Sequence, residues 1–148
     1  FDKLAERGWN FAAESASFLQ AFVKIGLVPD AGSSWLLQRL VGRTRAMELM
    51  LTGKKIGAKE ALEWGLVNQV LPNDDLMKAT NELAHSLATM PTKAIGLIKR
   101  MTDYSATHTL AESLDNEADM QEVAGRTADH REGLMAFLEK RTANFKGE

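Results

Sequence analysis

The sequence contains no cysteine, which excludes a disulfide framework, a thiolate nucleophile and any zinc site built on sulfur. Neither sign of charge dominates. Eighteen Lys and Arg stand against 20 Asp and Glu, a formal net charge of −2, so there is no electrostatic footprint for nucleic acid or an anionic membrane. Apolar stretches run only a few residues, too short to span a bilayer. The opening residues, Phe1 to Gly8, mix both signs of charge, unlike a secretory signal. The closing Phe145-Lys146-Gly147-Glu148 matches no organelle address, and the cytoplasm is the expected compartment. Low-complexity linkers and internal repeats are missing as well. What remains is the composition of a globular protein, 45% hydrophobic and 26% charged over 148 residues, long enough for one domain with a hydrophobic core.

Helix signals dominate. Residues 15–28 hold apolar, partly β-branched side chains that end at the turn signal Pro29-Asp30-Ala31-Gly32, so a short strand is expected at their start. Trp35, Leu36, Leu37, Leu40 and Val41 mark a helix stopped by Gly42. Arg43 to Thr52 form a second, with Ala46, Met47, Met50 and Leu51 on its inner face and Gly53 as its end. Gly57 opens a third that turns Ala61, Leu62 and Trp64 inward. The run Leu66 to Leu71, bounded by Gly65 and Pro72, is the best strand. Asn73 is placed to cap a helix from Asp74 to Met90, with Leu76, Leu83 and Leu87 as its buried stripe. Pro91 suits the first turn of the next, which carries Ile95, Leu97, Ile98 and Met101. Thr109-x-x-Glu112 and Asp129-x-x-Glu132 both read as capping boxes. The expected fold is mainly α with one or two short strands.

Few residues carry chemistry on their own pattern. Asp30 precedes a helix and reads either as its N-cap or as a reactive carboxylate. Ser33 and Ser34 lack the strand–Gly-x-Ser-x-Gly–helix setting of a hydrolase nucleophile. No pair among His85, His108 and His130 has the i, i+4 spacing of a helical metal site, and no metal is expected. Glu112, Asp115, Glu117, Asp119 and Glu122 spread around their helix as a solvated face, and Lys93, Lys99 and Arg100 form an ordinary basic patch.

The run Gln20-Ala21-Phe22-Val23-Lys24-Ile25-Gly26-Leu27-Val28-Pro29-Asp30 resembles the central segment of the enoyl-CoA hydratase/isomerase (crotonase) superfamily. The likeness continues in order through Leu40-Val41-Gly42, Leu51-Thr52-Gly53, Trp64-Gly65-Leu66-Val67, Arg131-Glu132-Gly133, Ala136-Phe137 and Glu139-Lys140-Arg141. It covers roughly Ala12 to Lys146, and residues 1–11 are read as a start outside the family, with loose order expected. The resemblance implies the C-terminal part of the crotonase-like α/β fold, lacking the N-terminal β–β–α spiral that supplies two oxyanion-hole N–H groups. On that reading the chain either begins inside a longer protein or has acquired a new start, and by itself it is expected not to catalyse the family reaction.

The residue roles follow from the same resemblance. The hydratase branch usually has a glutamate at the position of Phe22, one of two carboxylates that activate water, so hydration is disfavoured. Asp30 sits where relatives similar to the phenylacetate-degradation isomerase, and the chlorobenzoyl-CoA dehalogenases, place their reactive aspartate. Moving a double bond needs one carboxylate as base and then acid. Burial against Phe22, Ile25, Leu27 and Trp35 is expected to raise its pKa, and Phe22, Ile25 and Trp35 are the expected pocket walls. Phe137 and Lys140 resemble residues that reach a neighbouring subunit's coenzyme A, an aromatic ring beside adenine and an ammonium on a phosphate. The implied partners are an acyl-CoA thioester as substrate, with no covalently bound cofactor, and further copies of the chain as a trimer or hexamer or a state altered by truncation. The alternative is a noncatalytic helical module that self-associates, covering Phe18, Phe22 and Trp35, with at most weak coenzyme A binding.

Overall fold

The computed structural model describes residues 9–148; most of the start read as lying outside the family falls beyond those residues. The chain divides into two compact units, ending and resuming at residues 80 and 81.

In the first unit, strand β1 (Phe11–Ala13) pairs in parallel with β4 (Gln69–Leu71), Ala12 opposite Val70. Strand β2 (Ser17–Leu19) pairs antiparallel with β3 (Lys55–Gly57), Phe18 opposite Ile56. Four strands thus replace the expected one or two. Each is three residues long, too short for a period-2 pattern, and each pairs with a segment far along the chain. The best-predicted strand shrinks to its last three residues. Leu66 and Val67 are buried in the turn before it instead, and Asn68 closes that turn by exchanging hydrogen bonds with Asn10 (2.7 and 2.8 Å).

Helices α1 (Ser33–Val41), α2 (Arg43–Thr52) and α3 (Ala58–Glu63) follow the predicted spans. Leu37, Leu49, Ile56 and Leu66 are fully enclosed with Ala46 and Ala61 in the core, each large side chain contributing about 1.5–3 kcal/mol. Helix α2 faces inward through Ala46 and Leu49, whereas Met47 and Leu51 are exposed, contrary to the expected face. Ala46 lets α1 and α2 approach closely, and Leu49 fills the space one turn on. Leu62, also expected inside, is exposed, and Trp64 is half-buried. Arg45 and Lys54 lie 5.1 and 5.2 Å from the Trp64 ring centroid. Lys54 also bridges Glu48 (3.1 Å) and Glu60 (2.8 Å), and the Glu60 and Glu48 carboxylates hold its ammonium pKa above the ordinary value. Gly53 ends α2 at φ 56°, a left-handed position that favours glycine, and a Cβ there would push aside the flexible end of Lys24, whose Cε would lie at 2.6 Å.

Helix α4 (Leu76–Ala88) crosses the boundary between units. It begins later than expected because the Asn73 side chain accepts the Ser15 N–H (3.3 Å) instead of capping it, and its stripe of Leu76, Leu83 and Leu87 is only half-buried. In the second unit, α5 (Thr92–Ser105) packs on α6 (Leu110–Gly125), and α6 on α7 (Ala128–Glu139). Leu97 and Ala136 are buried, while Ile98, Leu110, Leu114 and Val123 are exposed despite their apolar spacing. The Thr109–Glu112 capping box forms on both arms, and the Thr109 hydroxyl and N–H hold the Glu112 carboxyl below its ordinary pKa. The second box does not form. Thr127 caps α7 by accepting the His130 N–H (3.0 Å), and Asp129 lies inside the helix, 3% exposed. Its carboxylate accepts the backbone N–H groups of Lys146 (2.7 Å) and Gly147 (2.8 Å), partners that no local pattern reveals. Among the described residues, no helix is long and apolar enough to cross a membrane.

Candidate active site

A 3₁₀ turn at Phe22–Ile25 ends at Gly26, whose left-handed conformation lets the Leu27 N–H return to the Phe22 carbonyl (3.0 Å). The chain then runs to Asp30, where the Ser33 N–H closes a turn on the Asp30 carbonyl (2.9 Å). Both central residues have positive φ, Ala31 at 48° and Gly32 at 82°, the pattern of a primed turn. Glycine adopts this freely; alanine does so at a cost of about 1–2 kcal/mol. The turn feeds straight into α1, whose first residue, Ser33, is buried and whose N-cap is Gly32 with no side-chain cap. The Asp30 carboxylate therefore does not serve as an N-cap. It is exposed and accepts no hydrogen bond from the described residues, so its position is set by the turn and by the core-anchored helix behind it.

The enclosure expected around Asp30 is not supplied by these residues. Phe22 is half-buried, Ile25 is 74% exposed, and Leu27 and Trp35 are exposed too. The Arg39 guanidinium lies 3.5 Å over the Trp35 ring and donates to the Trp35 carbonyl (3.0 Å). Phe18, expected on an uncovered surface, is partly buried against the core. Gln20 is 2% exposed, and its amide oxygen is without a partner among the described residues. Sequence reasoning passed over it, although a glutamine between Leu19 and Ala21 in an apolar run is a visible signal.

The second unit carries the other predicted pair. Phe137 is 80% exposed near the end of α7, and Lys140 follows at the helix terminus with φ 54°. The Lys140 N–H returns to Phe137 (3.3 Å) and the Arg141 N–H to Ala136 (3.0 Å), which is the Schellman arrangement. Arg141 meets Glu132 through two nitrogens, at 2.6 and 2.9 Å, and Glu139 through Nε at 2.6 Å. Glu132 also accepts the Asn144 N–H (2.8 Å). The Arg141 guanidinium and that N–H hold the Glu132 carboxyl at about 2. The sequence pattern offers Glu132 as an arm of a capping box that does not form, and gives Arg141 a place in the closing motif without a role.

The histidines act locally. His85 Nδ1 lies 2.7 Å from the Asn81 carbonyl, and His108 stacks on Tyr104 at 3.5 Å. Among the described residues, no group of three or more acidic or histidine side chains is placed to hold a metal ion. The acidic side chains of α6 and the basic ones of α5 are exposed, as expected.

Comparison with known proteins gives a consistent set. A family model described as enoyl-CoA hydratase/isomerase matches residues 9–148. The 1,2-epoxyphenylacetyl-CoA isomerase of Escherichia coli (strain K12) is 49% identical over 137 residues, covering 93% of this chain and 52% of that protein. The trans-2-decenoyl-(acyl-carrier-protein) isomerase of Streptococcus mutans is 37% identical over 137 residues, covering 93% and 52%. The crystal structure of an enoyl-CoA hydratase from Bacillus anthracis superposes with a TM-score of 0.90 at 38% identity, covering 95% of this chain and 54% of that one. The chain thus spans about half the length of the curated relatives it matches.

Proposed function

The chain belongs to the enoyl-CoA hydratase/isomerase family, and on that premise we propose that it is the part of an acyl-CoA isomerase that carries the reactive carboxylate, Asp30. The single observation behind this is the Asp30 carboxylate itself. It is exposed, unengaged by any hydrogen bond among the described residues, and tied through a rigid turn to a core helix. A carboxylate with a merely structural part in the turn would accept a bond from it.

The chemistry needs little more from this segment. As base, the carboxylate removes a proton from the carbon at one end of the allylic system, and the electron pair moves onto the thioester oxygen. As acid, it returns the proton to the carbon at the far end, on the same face, and the thioester carbonyl reforms with the double bond shifted. A phenylalanine at position 22, where the hydratase branch has a glutamate, cannot activate water, which favours isomerisation over hydration. Two isomerases among the relatives support the same choice. The intermediate's negative oxygen calls for preorganised N–H donors, each typically worth several kcal/mol. The resemblance assigns them to a segment preceding this one, so the chain alone is proposed to be inactive. Phe137 and Lys140 are proposed to meet the adenine and a phosphate of coenzyme A.

The test compares turnover of an enoyl-CoA thioester by this chain, by the chain joined to the first half of the E. coli relative, and by the Asp30→Asn form of each. The expected result is activity only in the joined protein, falling at least a hundredfold with Asp30→Asn. Full isomerase activity in an Asp30→Asn protein would sink the assignment. A second reading draws on the exposed apolar side chains Ile25, Leu27, Val28, Leu134, Phe137 and Leu138: a noncatalytic module that self-associates to cover them. Sedimentation showing a stable oligomer, with no activity in the joined protein, favours that reading.

A further inference from the structure

The end of α7 shows an unusual choice of residue. In a Schellman terminus the left-handed position is usually glycine, because a Cβ is strained there. Here it is Lys140, at φ 54°. Nothing the lysine itself touches offsets that strain: it is exposed and forms no ion pair among the described residues. What holds the backbone is the next residue. Arg141 is fixed by all three guanidinium nitrogens, two on Glu132 and one on Glu139, a planar fork that lysine could not replace. The same fork neutralises the acidic side chains nearest the helix end. Arg141 is thereby fully engaged, and among the described residues Lys140 is left as a cation with no partner, three residues beyond the exposed Phe137 ring. Strain kept at a residue without compensating contacts points to a use outside the chain.

We infer that Arg141 is a positioning residue: clamped by Glu132 and Glu139, it holds Lys140 in the left-handed conformation that presents its ammonium to a phosphate of coenzyme A. This rests on the coenzyme A contact proposed above for Phe137 and Lys140, and not on the role of Asp30. The depressed Glu132 carboxyl keeps the clamp charged throughout the neutral range.

The experiment measures the dissociation constant of coenzyme A calorimetrically, together with thermal unfolding. It uses the whole chain, its Lys140→Gly, Arg141→Gln and double variants, and Asp30→Asn as a reference. Lys140→Gly relieves the strain, so its melting temperature should rise by about 2–4 °C while coenzyme A affinity falls about tenfold, the scale of one lost charge-assisted contact. Arg141→Gln should weaken binding about fivefold when Lys140 is present and cause no further loss in the Lys140→Gly background. A merely structural arginine would cost the same in both backgrounds, which would overturn the inference. So would a stabilised Lys140→Gly chain with unchanged affinity, or an unmodified chain that binds no coenzyme A. Asp30→Asn should bind coenzyme A as the unmodified chain does. Turnover retained in the Asp30→Asn form of the joined protein would sink the catalytic reading and leave this one standing, whereas unchanged coenzyme A affinity in Lys140→Gly would do the reverse.

Discussion

Replacing Asp129 with alanine removes both acceptors that hold the C-terminal segment to α7. Two backbone donors, Lys146 N–H at 2.7 Å and Gly147 N–H at 2.8 Å, lose a buried carboxylate. Hydrogen bonds to a charged group contribute about 1.5–3 kcal/mol each, so the gross loss is about 3–6 kcal/mol. The segment has an escape, however. Lys146 is exposed, and once released its N–H can be solvated by water, so the cost saturates at the free energy of docking the segment. A net loss of about 2–4 kcal/mol is therefore expected. Asparagine should fare little better, because its single oxygen serves one donor while its NH₂ faces the other. The direct assay is amide exchange of Gly147, which should quicken by about thirtyfold or more, at a factor of ten per 1.4 kcal/mol, with urea unfolding as the global check. Exchange at Gly147 unchanged in Asp129→Ala would refute the reasoning, since it would mean that the carboxylate bears no part of the docking.

Glu132 sets an acid limit on the same segment. Its carboxyl is lowered from 4.5 to about 2, so its stabilising contribution is complete above pH 4.5 and is lost as the pH falls from there towards 2. Asn144 amide exchange followed over that range should show release well below 4.5; a midpoint at or above 4.5 contradicts the clamp. Ala31→Asn puts a residue tolerant of positive φ into the turn after Asp30 and should raise stability by up to about 1 kcal/mol in urea titration, whereas Ala31→Val should lower it. Thr109→Ala removes one arm of a formed capping box and should cost about 1 kcal/mol, read from the same titration.

The two capping boxes show where sequence reading stops. Thr109-x-x-Glu112 and Asp129-x-x-Glu132 match one pattern, yet only the first is a cap. A threonine hydroxyl has no stronger claim on it than the N–H groups next door. A buried aspartate is drawn to the Lys146 and Gly147 donors 17 and 18 residues away, and Thr127 then takes over the helix start. The helices α1 to α3 were legible because Gly42, Gly53 and Gly57 punctuate them locally. The strands were not: β1 and β2 depend on partners 58 and 40 residues distant in register, Phe11 with Gln69 and Ser17 with Gly57.

The candidate site divides along the same line. Asp30 could be singled out from its motif, and the turn that fixes it is local, so structure adds the positive φ of Ala31 and removes the capping alternative. The apolar walls are another matter. Ile25 and Trp35 stand exposed, and a carboxylate needs more than one exposed neighbour to be desolvated. If Asp30 acts as a base and then an acid, the low-dielectric surroundings that would tune it have to come from the acyl chain and from surfaces that this segment does not itself provide. Supplying those surfaces by joining the preceding half should give turnover that Asp30→Asn abolishes, whereas adding substrate to this chain alone should give none. That difference, measurable by assay of the chain and of the joined protein, separates a carboxylate placed for catalysis from one merely left exposed.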